Sequence, residues 1–172
     1  LIYFPIYLKQ GSIDILGLKF LQSVLADGLN SILLKRLRLD LNLVYSLSIS
    51  INTDDCGTTL SISTETIDKN AKKVIDEIFR LIKKYKKTLL TKEKIENTKR
   101  IWIMSINNIC LTKPHEVSDF YKNQYFWQLN KDKKNIITIA QLIKYVNSLD
   151  KYKMKKLIND FLNFDKCVLT YG

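Results

Sequence analysis

The sequence predicts an α+β fold in which an antiparallel or mixed sheet carries helices packed mainly on one face. Two runs of residues alternate between apolar and polar side chains, as neighbouring strands do. Most other segments repeat apolar residues at spacings of three and four, which is typical of amphipathic helices. The 172 residues include only 5 glycines and 2 prolines and contain no linker-like stretch. We therefore expect a single domain over residues 1–172.

The N-terminal segment predicts a strand followed by two helices. Residues 1–8 are apolar but contain Pro5, which a strand tolerates only at an edge or a bulge. Gly11 and Ser12 then turn the chain into a helix whose inward leucines stand at positions 18, 21 and 25. Gly28 ends this helix, and Asn30 or Ser31 can cap a shorter second helix that runs to about residue 41.

Residues 43–51 and 58–64 predict an antiparallel hairpin around a polar tip at 53–57. In the first run, Leu43, Tyr45 and Leu47 fall on one face, while serines at 46, 48 and 50 fall on the other. Taken alone, Tyr45 is therefore predicted to be a core tyrosine on the apolar face.

The rest of the chain predicts helices and a closing strand. An apolar stripe follows Asp68, and Thr91 caps the next helix. Pro114 suits the first turn of a helix with Val117, Phe120, Tyr121 and Gln124 on one side. Thr138 forms a capping box with the glutamine three residues later, and Ser148 caps the last helix. Residues 167–171 are expected to form the closing strand.

The net charge of +11 comes largely from lysine, since only 4 of the 28 basic residues are arginines. Base reading and bidentate phosphate contacts favour arginine, so a nucleic-acid partner is not the favoured interpretation. It stays open as an alternative, which requires the lysine runs 83–87 and 151–156 to share one face. The longest apolar stretch, residues 1–8, is too short to span a bilayer, so no membrane partner is expected.

The sequence excludes several kinds of catalysis. The only histidine, His115, precludes the two-histidine zinc motifs H-E-x-x-H and H-x-x-E-H, and no glycine loop for phosphate is present. Cys56, Cys110 and Cys167 are too far apart for a C-x-x-C motif, so we expect free thiols and an intracellular or organellar compartment. Because the chain begins at Leu1 rather than methionine, it is expected to be part of a longer protein or a processed subunit.

Arg38 is the basic residue that local pairing does not explain. Arg36 can pair with Asp40 four residues later, whereas the positions three and four residues from Arg38 hold no acid. A guanidinium on a leucine-rich face needs a distant carboxylate, a carbonyl or a ligand for its donors. Without further information it would be a structural or surface arginine.

Three segments, read in order, resemble a known family. They are Leu25-Ala26-Asp27-Gly28-Leu29-Asn30-Ser31, Leu37-Arg38, and Asn42-Leu43-Val44-Tyr45-Ser46-Leu47. They are similar to the L-G-x-G-x-x-S, L-R-E and G-L-A-Y-S-V segments of the C-terminal, non-zinc domain of the insulinase, pitrilysin and mitochondrial processing peptidase family of zinc metallopeptidases. The likeness covers essentially the whole chain, and the spacing from arginine to tyrosine is its sharpest part.

The resemblance implies one half of a clamshell metalloendopeptidase. Zinc is expected on a homologous partner half, in the same or another chain, with no metal bound by this chain. Arg38 would bind the carbonyl of a peptide substrate, and Tyr45 would be the catalytic residue that donates its hydroxyl to the oxyanion. An extended peptide would pair with a sheet edge near residues 1–8.

The chain also departs from the family pattern. Leu39 stands where the family has the glutamate after the arginine, Asn42 replaces a glycine, and Val44 replaces an alanine. Asparagine tolerates the left-handed backbone that glycine adopts. The glycine-rich loop of some processing peptidases is reduced to Gly28. The alternative function is therefore an inactive scaffold domain of the same fold, in which Arg38 would lie in an internal salt bridge and the Tyr45 hydroxyl would be bonded inside the core.

Overall fold

The structure is a computed structural model that describes residues 1–8, 12–54, 57–128 and 136–170. Its strands are β1 (Ile2–Ile6), β2 (Ser46–Thr53), β3 (Thr58–Glu65) and β4 (Val168–Leu169). Its α-helices are α1 (Ile13–Ala26), α2 (Ile32–Leu34), α3 (Asp68–Lys87), α4 (Lys92–Thr112), α5 (Pro114–Gln128), α6 (Ile139–Ser148) and α7 (Lys151–Phe161). A π-helical turn at Lys35–Asp40 continues α2, and a 3-10 turn at Phe164–Lys166 precedes β4.

The four strands form one antiparallel sheet in the order β2-β3-β1-β4, which confirms the predicted α+β class and the hairpin. In the hairpin, Ile49 lies opposite Ile62, and both are buried. The serines at 46, 48 and 50 are exposed, as the alternation predicts. Residues 55 and 56 of the predicted tip lie outside the described residues, as do Gly11 of the first turn and Tyr171 of the closing strand.

The prediction of a sheet edge near residues 1–8 is wrong for the first half of β1 and holds only for the half that contains Pro5. β1 lies between β3 and β4, and the edges of the described sheet are β2 and the two-residue β4. Pro5 is nevertheless compatible with this inner strand, because β4 pairs only with Ile2 and Tyr3. Among the described residues, the part of β1 that holds Pro5 therefore has a strand partner on the β3 side only. On the open side, the missing backbone N–H of a proline breaks no ladder of hydrogen bonds.

One hydrophobic core joins the sheet to the helices. The predicted inward leucines of α1 at 18, 21 and 25 are all buried, together with Phe4 of β1 and Ile62 of β3. α1 contacts β2, α4 and α7, and α3 packs on α7. The amphipathic stripes thus bury their apolar sides against a single sheet.

Most predicted helix ends are confirmed. Gly28 follows the end of α1 with φ +78°, α5 begins at Pro114, and Thr138 forms the predicted capping box with Gln141. One cap is wrong, because Ser148 is the last residue of α6 and Asp150 caps α7. Gln124 was placed on the same side of α5 as Val117, and its side chain lies outside the described part of the structure. Within the described ranges, no helix is long and apolar enough to cross a membrane.

Candidate functional site

A tight turn carries the chain from the π-helical segment into β2. The amide of Leu41 donates to the carbonyl of Arg36 at 3.1 Å, and the amide of Leu43 donates to the carbonyl of Leu37 at 2.7 Å. Between them, Asn42 has φ +48°, the left-handed conformation that closes helices in this way. The expectation that asparagine substitutes here for a glycine agrees with this backbone.

The segment before β2 is held on both sides. The buried side chains of Leu43 and Val44 anchor it in the core. The Thr66 hydroxyl donates to the Leu43 carbonyl at 2.5 Å, and the Tyr45 amide donates to the Glu65 carbonyl at 2.8 Å. Because the backbone of Tyr45 is fixed by this bond to the end of β3, its position relative to the sheet is well defined.

Arg38 and Tyr45 lie at the two ends of this turn with exposed side chains. Tyr45 is 68% exposed, so its prediction as a core tyrosine is wrong. The reason is that the apolar alternation of β2 begins at Leu47, after the chain has left its buried anchor at Leu43 and Val44. Among the described residues, no side-chain hydrogen bond or ion pair engages Arg38 or Tyr45. The Leu43-to-Leu37 bond brings the backbone next to Arg38 against the segment that leads to Tyr45.

A charged cluster fixes the π-helical turn to α3. The Arg36 guanidinium donates to Glu77 at 2.6 Å and lies 3.6 Å from Asp40, and Arg80 donates two bonds to Glu77 at 2.7 Å. The hydrogen bonds from Arg80, and then those from Arg36, hold the pKa of Glu77 at about 2, although burial opposes this shift. The sequence indicated the pair of Arg36 with Asp40, but it contains no signal for a carboxylate 41 residues away.

The departure at Leu39 has a visible consequence in this turn. Leu39 is 52% exposed and provides no carboxylate beside Arg38. Asp40 of the turn is paired with Arg36, and Glu77 of α3 is paired with Arg36 and Arg80, so the guanidinium of Arg38 remains available to a ligand.

A groove of about 770 Å³ lies between the loop after α1 and the N-terminal half of α4. It is lined by Gly28 and Ser31 on one side and by Lys94, Ile101 and Met104 on the other. The Lys94 ammonium donates to the Asn30 carbonyl at 2.7 Å, which ties the loop to α4. Neither Arg38 nor Tyr45 lines the groove. No local sequence pattern indicates the groove, because it forms between elements that are distant in the chain.

The described residues contain no group of three or more His, Cys, Asp or Glu side chains that could hold a metal ion. His115, the single histidine, is exposed near the start of α5. Cys110 and Cys167 are free thiols, while Cys56 lies outside the described residues.

Comparison with known proteins agrees with this fold. Residues 1–101 match the family model of the peptidase M16 inactive domain. No curated protein sequence gives a significant match. The match to the family model includes the turn from Arg38 to Tyr45, so it covers the segment on which the insulinase resemblance depends.

Solved structures share the fold at low sequence identity. A protease from Helicobacter pylori superposes with a TM-score of 0.81 at 15% identity, over 96% of this chain and 38% of its own. The peptidase M16 inactive domain from Pseudomonas fluorescens gives 0.77 at 14% identity, over 96% and 38%. The inactive peptidase domain of a Bordetella parapertussis protein described as a zinc protease gives 0.75 at 12% identity, over 97% and 87%.

The chain spans about two fifths of the length of the first two of these structures, and such identities establish the fold alone. The family model covers more than half of the chain. Together with the four-stranded sheet and its helices, it confirms the predicted family: the chain belongs to the peptidase M16 inactive domain family.

Proposed function

We propose that this domain is the non-zinc half of an insulinase-type zinc metalloendopeptidase and supplies substrate-binding and oxyanion groups to a zinc-bearing half. The proposal rests on the exposure of the Arg38 and Tyr45 side chains and on their lack of partners in the described part of the chain. Both are exposed and unpartnered among the described residues, and they lie at the two ends of one closed turn at the family's spacing. The alternative function, an inactive scaffold domain, predicts instead that Arg38 lies in an internal salt bridge and that the Tyr45 hydroxyl is bonded inside the core.

Each of the two side chains suits its proposed role. The guanidinium of Arg38 presents several N–H donors to a peptide carbonyl, which positions the substrate backbone. The hydroxyl of Tyr45 donates to the oxygen on which negative charge develops in the transition state. When bound on the partner half, zinc supplies an activated water.

The sheet adds support for a peptide substrate. β2 is an edge strand of the described sheet, and Tyr45 immediately precedes it. The backbone groups along the outer side of an edge strand are free to pair with an extended chain. A peptide added to this edge would pass Tyr45 at the start of the strand.

The partner half is proposed from the size of the structural relatives. The chain covers 38% of the Helicobacter pylori protease, so that protein has room for a second domain of similar size. By analogy, the zinc-bearing half of this protein would be a homologous domain in the same polypeptide or in another subunit.

Peptidase activity of this chain mixed with its zinc-bearing half tests the proposal. We expect Arg38→Ala and Tyr45→Phe each to lower kcat/KM by about 100-fold, the scale of losing one oxyanion donor. The matched controls are Lys35→Ala, an exposed cation of the same turn, and Tyr152→Phe, a tyrosine that is 64% exposed on α7. Both controls should stay within about threefold of the wild type.

Zinc content and circular dichroism must be unchanged in all variants, so that the loss reports on the site. Activity that is indifferent to both Arg38→Ala and Tyr45→Phe would refute the catalytic role. The domain would then be a scaffold that keeps the family fold and contributes only to assembly.

A further inference from the structure

Four lysines gather at the C-terminal end of α3, and a fifth lies on the adjoining 3-10 turn, whose Phe164 ring packs on Phe79 of α3. We call these five lysines the lysine cluster: Lys83, Lys86 and Lys87 of α3, Lys155 of α7 and Lys166 of the 3-10 turn. They belong to the two lysine runs, 83–87 and 151–156, and to the segment that leads into β4. Where α3 packs on α7, Lys155 of the second run reaches the end of the first run at Lys87.

Specific contacts hold the lysine cluster together. The Lys155 ammonium donates to the Lys87 carbonyl at 2.8 Å, and the Asn159 amide donates to the Lys86 carbonyl at 3.4 Å. These bonds cap the last carbonyls of α3 from α7. The C-terminal ends of helices attract cations, which explains why the lysines gather here.

The 3-10 turn completes the arrangement through its aromatic ring. The ammonium groups of Lys83 and Lys86 lie 5.5 and 5.1 Å from the centre of the Phe164 ring. Lys166 lies 5.5 Å from the centre of the Tyr7 ring, which belongs to an exposed tyrosine after β1. Rings at these distances attract ammonium groups and hold them at the surface.

The positive charge of the lysine cluster is not neutralised within the described part of the chain. None of its five ammonium groups lies in a salt bridge there, whereas the neighbouring Lys156 pairs with Asp160. Burial lowers the pKa of Lys86, and only the charge of Asp165 opposes this effect. Like charges gathered on one surface repel one another, so an anionic ligand would relieve the repulsion.

The make-up of the lysine cluster counts against sequence-specific nucleic acid as its ligand. It contains no arginine, the residue best suited to reading base edges. The Phe164 ring packs against Phe4 and Phe79 and is approached by two lysines, so it is no platform for stacked bases. We propose that the lysine cluster docks an acidic segment of a partner polypeptide. This surface is distinct from Arg38 and Tyr45, and the inference goes beyond the proposed peptidase role.

Binding of fluorescent poly-L-glutamate to the full chain at low salt tests the inference. The test variant replaces Lys83, Lys86 and Lys155 by glutamine. The control replaces Lys69, Lys72 and Lys73, three exposed lysines at the other end of the same helix, which changes the net charge equally. We expect poly-L-glutamate to bind the test variant at least tenfold more weakly than the wild type. For the control variant, binding should weaken by about threefold or less, the small effect typical of exposed ion pairs.

A third variant with arginine at 83, 86 and 155 keeps the charge and should bind within about threefold of the wild type. It separates loss of charge from loss of fold. Equal losses in the test and control variants would overturn the proposal, because binding would then follow net charge alone. Tighter binding of a thymidine oligonucleotide, or of phosphatidylserine–phosphatidylcholine vesicles, than of poly-L-glutamate would overturn it as well. Peptidase assays of the Arg38 and Tyr45 variants are independent of all these outcomes.

Discussion

Ser31 occupies the N-cap of α2 without making the bond that usually favours serine there. Its hydroxyl oxygen is buried and has no hydrogen-bond partner among the described residues. The penalty for burying an unpaired hydroxyl offsets the ordinary advantage of a capping residue. Asp150, by contrast, accepts bonds from the amides of Tyr152 and Lys153 at 3.0 and 2.8 Å.

We therefore expect Ser31→Ala to leave the free energy of unfolding unchanged or to raise it by up to about 1 kcal/mol. The control Asp150→Ala should lower it by about 1 kcal/mol, because it removes two satisfied cap bonds. Urea denaturation measures both. A loss above about 1 kcal/mol in Ser31→Ala would show that the hydroxyl has a partner.

Glu77 predicts a pH dependence of stability. Its pKa in the folded chain is about 2, below the ordinary value of 4.5, so its contribution is fully present above pH 4.5 and is lost as the pH falls towards 2. In the wild type we expect a loss of about 1–3 kcal/mol over this range from Glu77. Glu77→Gln should make the free energy of unfolding less dependent on pH between 4.5 and 2. The control Glu93→Gln, at an exposed glutamate, should keep the pH dependence of the wild type. Parallel profiles for wild type and Glu77→Gln would contradict the assignment.

For individual residues, the sequence predicts the interactions and backbone conformations that depend on near neighbours in the chain. The pair of Arg36 with Asp40 follows from a spacing of four, and the left-handed turn follows from asparagine in the place of a glycine. The bond from Arg36 to Glu77 depends on how α3 lies against the π-helical turn, which no local pattern encodes. The exposure of Tyr45 was mispredicted for a similar reason, because periodicity does not show where the core ends.

Among the elements, α1 approaches the C-terminal helices closely at Gly17. A methyl group at this position would meet the Tyr145 hydroxyl of α6 at 2.6 Å and a methyl of Leu157 of α7 at 3.0 Å. Burial raises the pKa of Tyr145 to about 12, aided by the charge of Asp14. A helix interior otherwise favours alanine over glycine by up to about 1 kcal/mol, so the glycine reflects packing.

We expect Gly17→Ala to lower the free energy of unfolding by about 1–2 kcal/mol. In a Tyr145→Phe background the nearest clashing atom is absent, so the same substitution should cost less. Thermal or urea unfolding of the four proteins gives this double-mutant cycle. Equal costs in both backgrounds would mean that the Tyr145 hydroxyl does not restrict this position.

The helices were more predictable than the sheet order. The capping box at Thr138 and the first-turn Pro114 depend on neighbours in sequence, and both were found as predicted. The place of β1 between β3 and β4 depends on a pairing with β4 that spans more than a hundred residues, so the inference of an edge strand held only for the half of β1 that contains Pro5. The cap of α7 was missed by two residues because Ser148 and Asp150 are both suitable capping types.

Over the whole molecule, one core connects sheet and helices. Ile62 lies fully buried in the inner strand β3, whereas Ile101 on α4 is 64% exposed. We expect Ile62→Ala to lower the free energy of unfolding by about 2–5 kcal/mol and Ile101→Ala by less than about 0.5 kcal/mol. Far-UV and near-UV circular dichroism should give coincident transitions for both variants. Separate transitions would contradict a single cooperative core.

The family resemblance rests on several motifs taken together, which explains why fold and family were predicted more fully than the site. Weak motifs add up when their order and spacing agree over a long stretch, as the match over residues 1–101 shows. The lysine cluster could not be derived in this way. Its lysines on α3 are far in the chain from those on α7 and on the 3-10 turn, and the packing of α3 on α7 brings Lys155 to them.

Because of the π-helical turn before Asn42, the spacing from Arg38 to Tyr45 does not by itself determine the direction in which the Arg38 side chain points. In this turn a carbonyl is reached by the amide five residues later, one more than in an α-helix. If one residue were deleted here and the segment rewound as an α-helix, the side chain at position 38 would swing by about 100° around the helix axis. Two homologues with the same arginine-to-tyrosine spacing can therefore aim the guanidinium in different directions. Alignments of this segment need the helix type as well as the residue count.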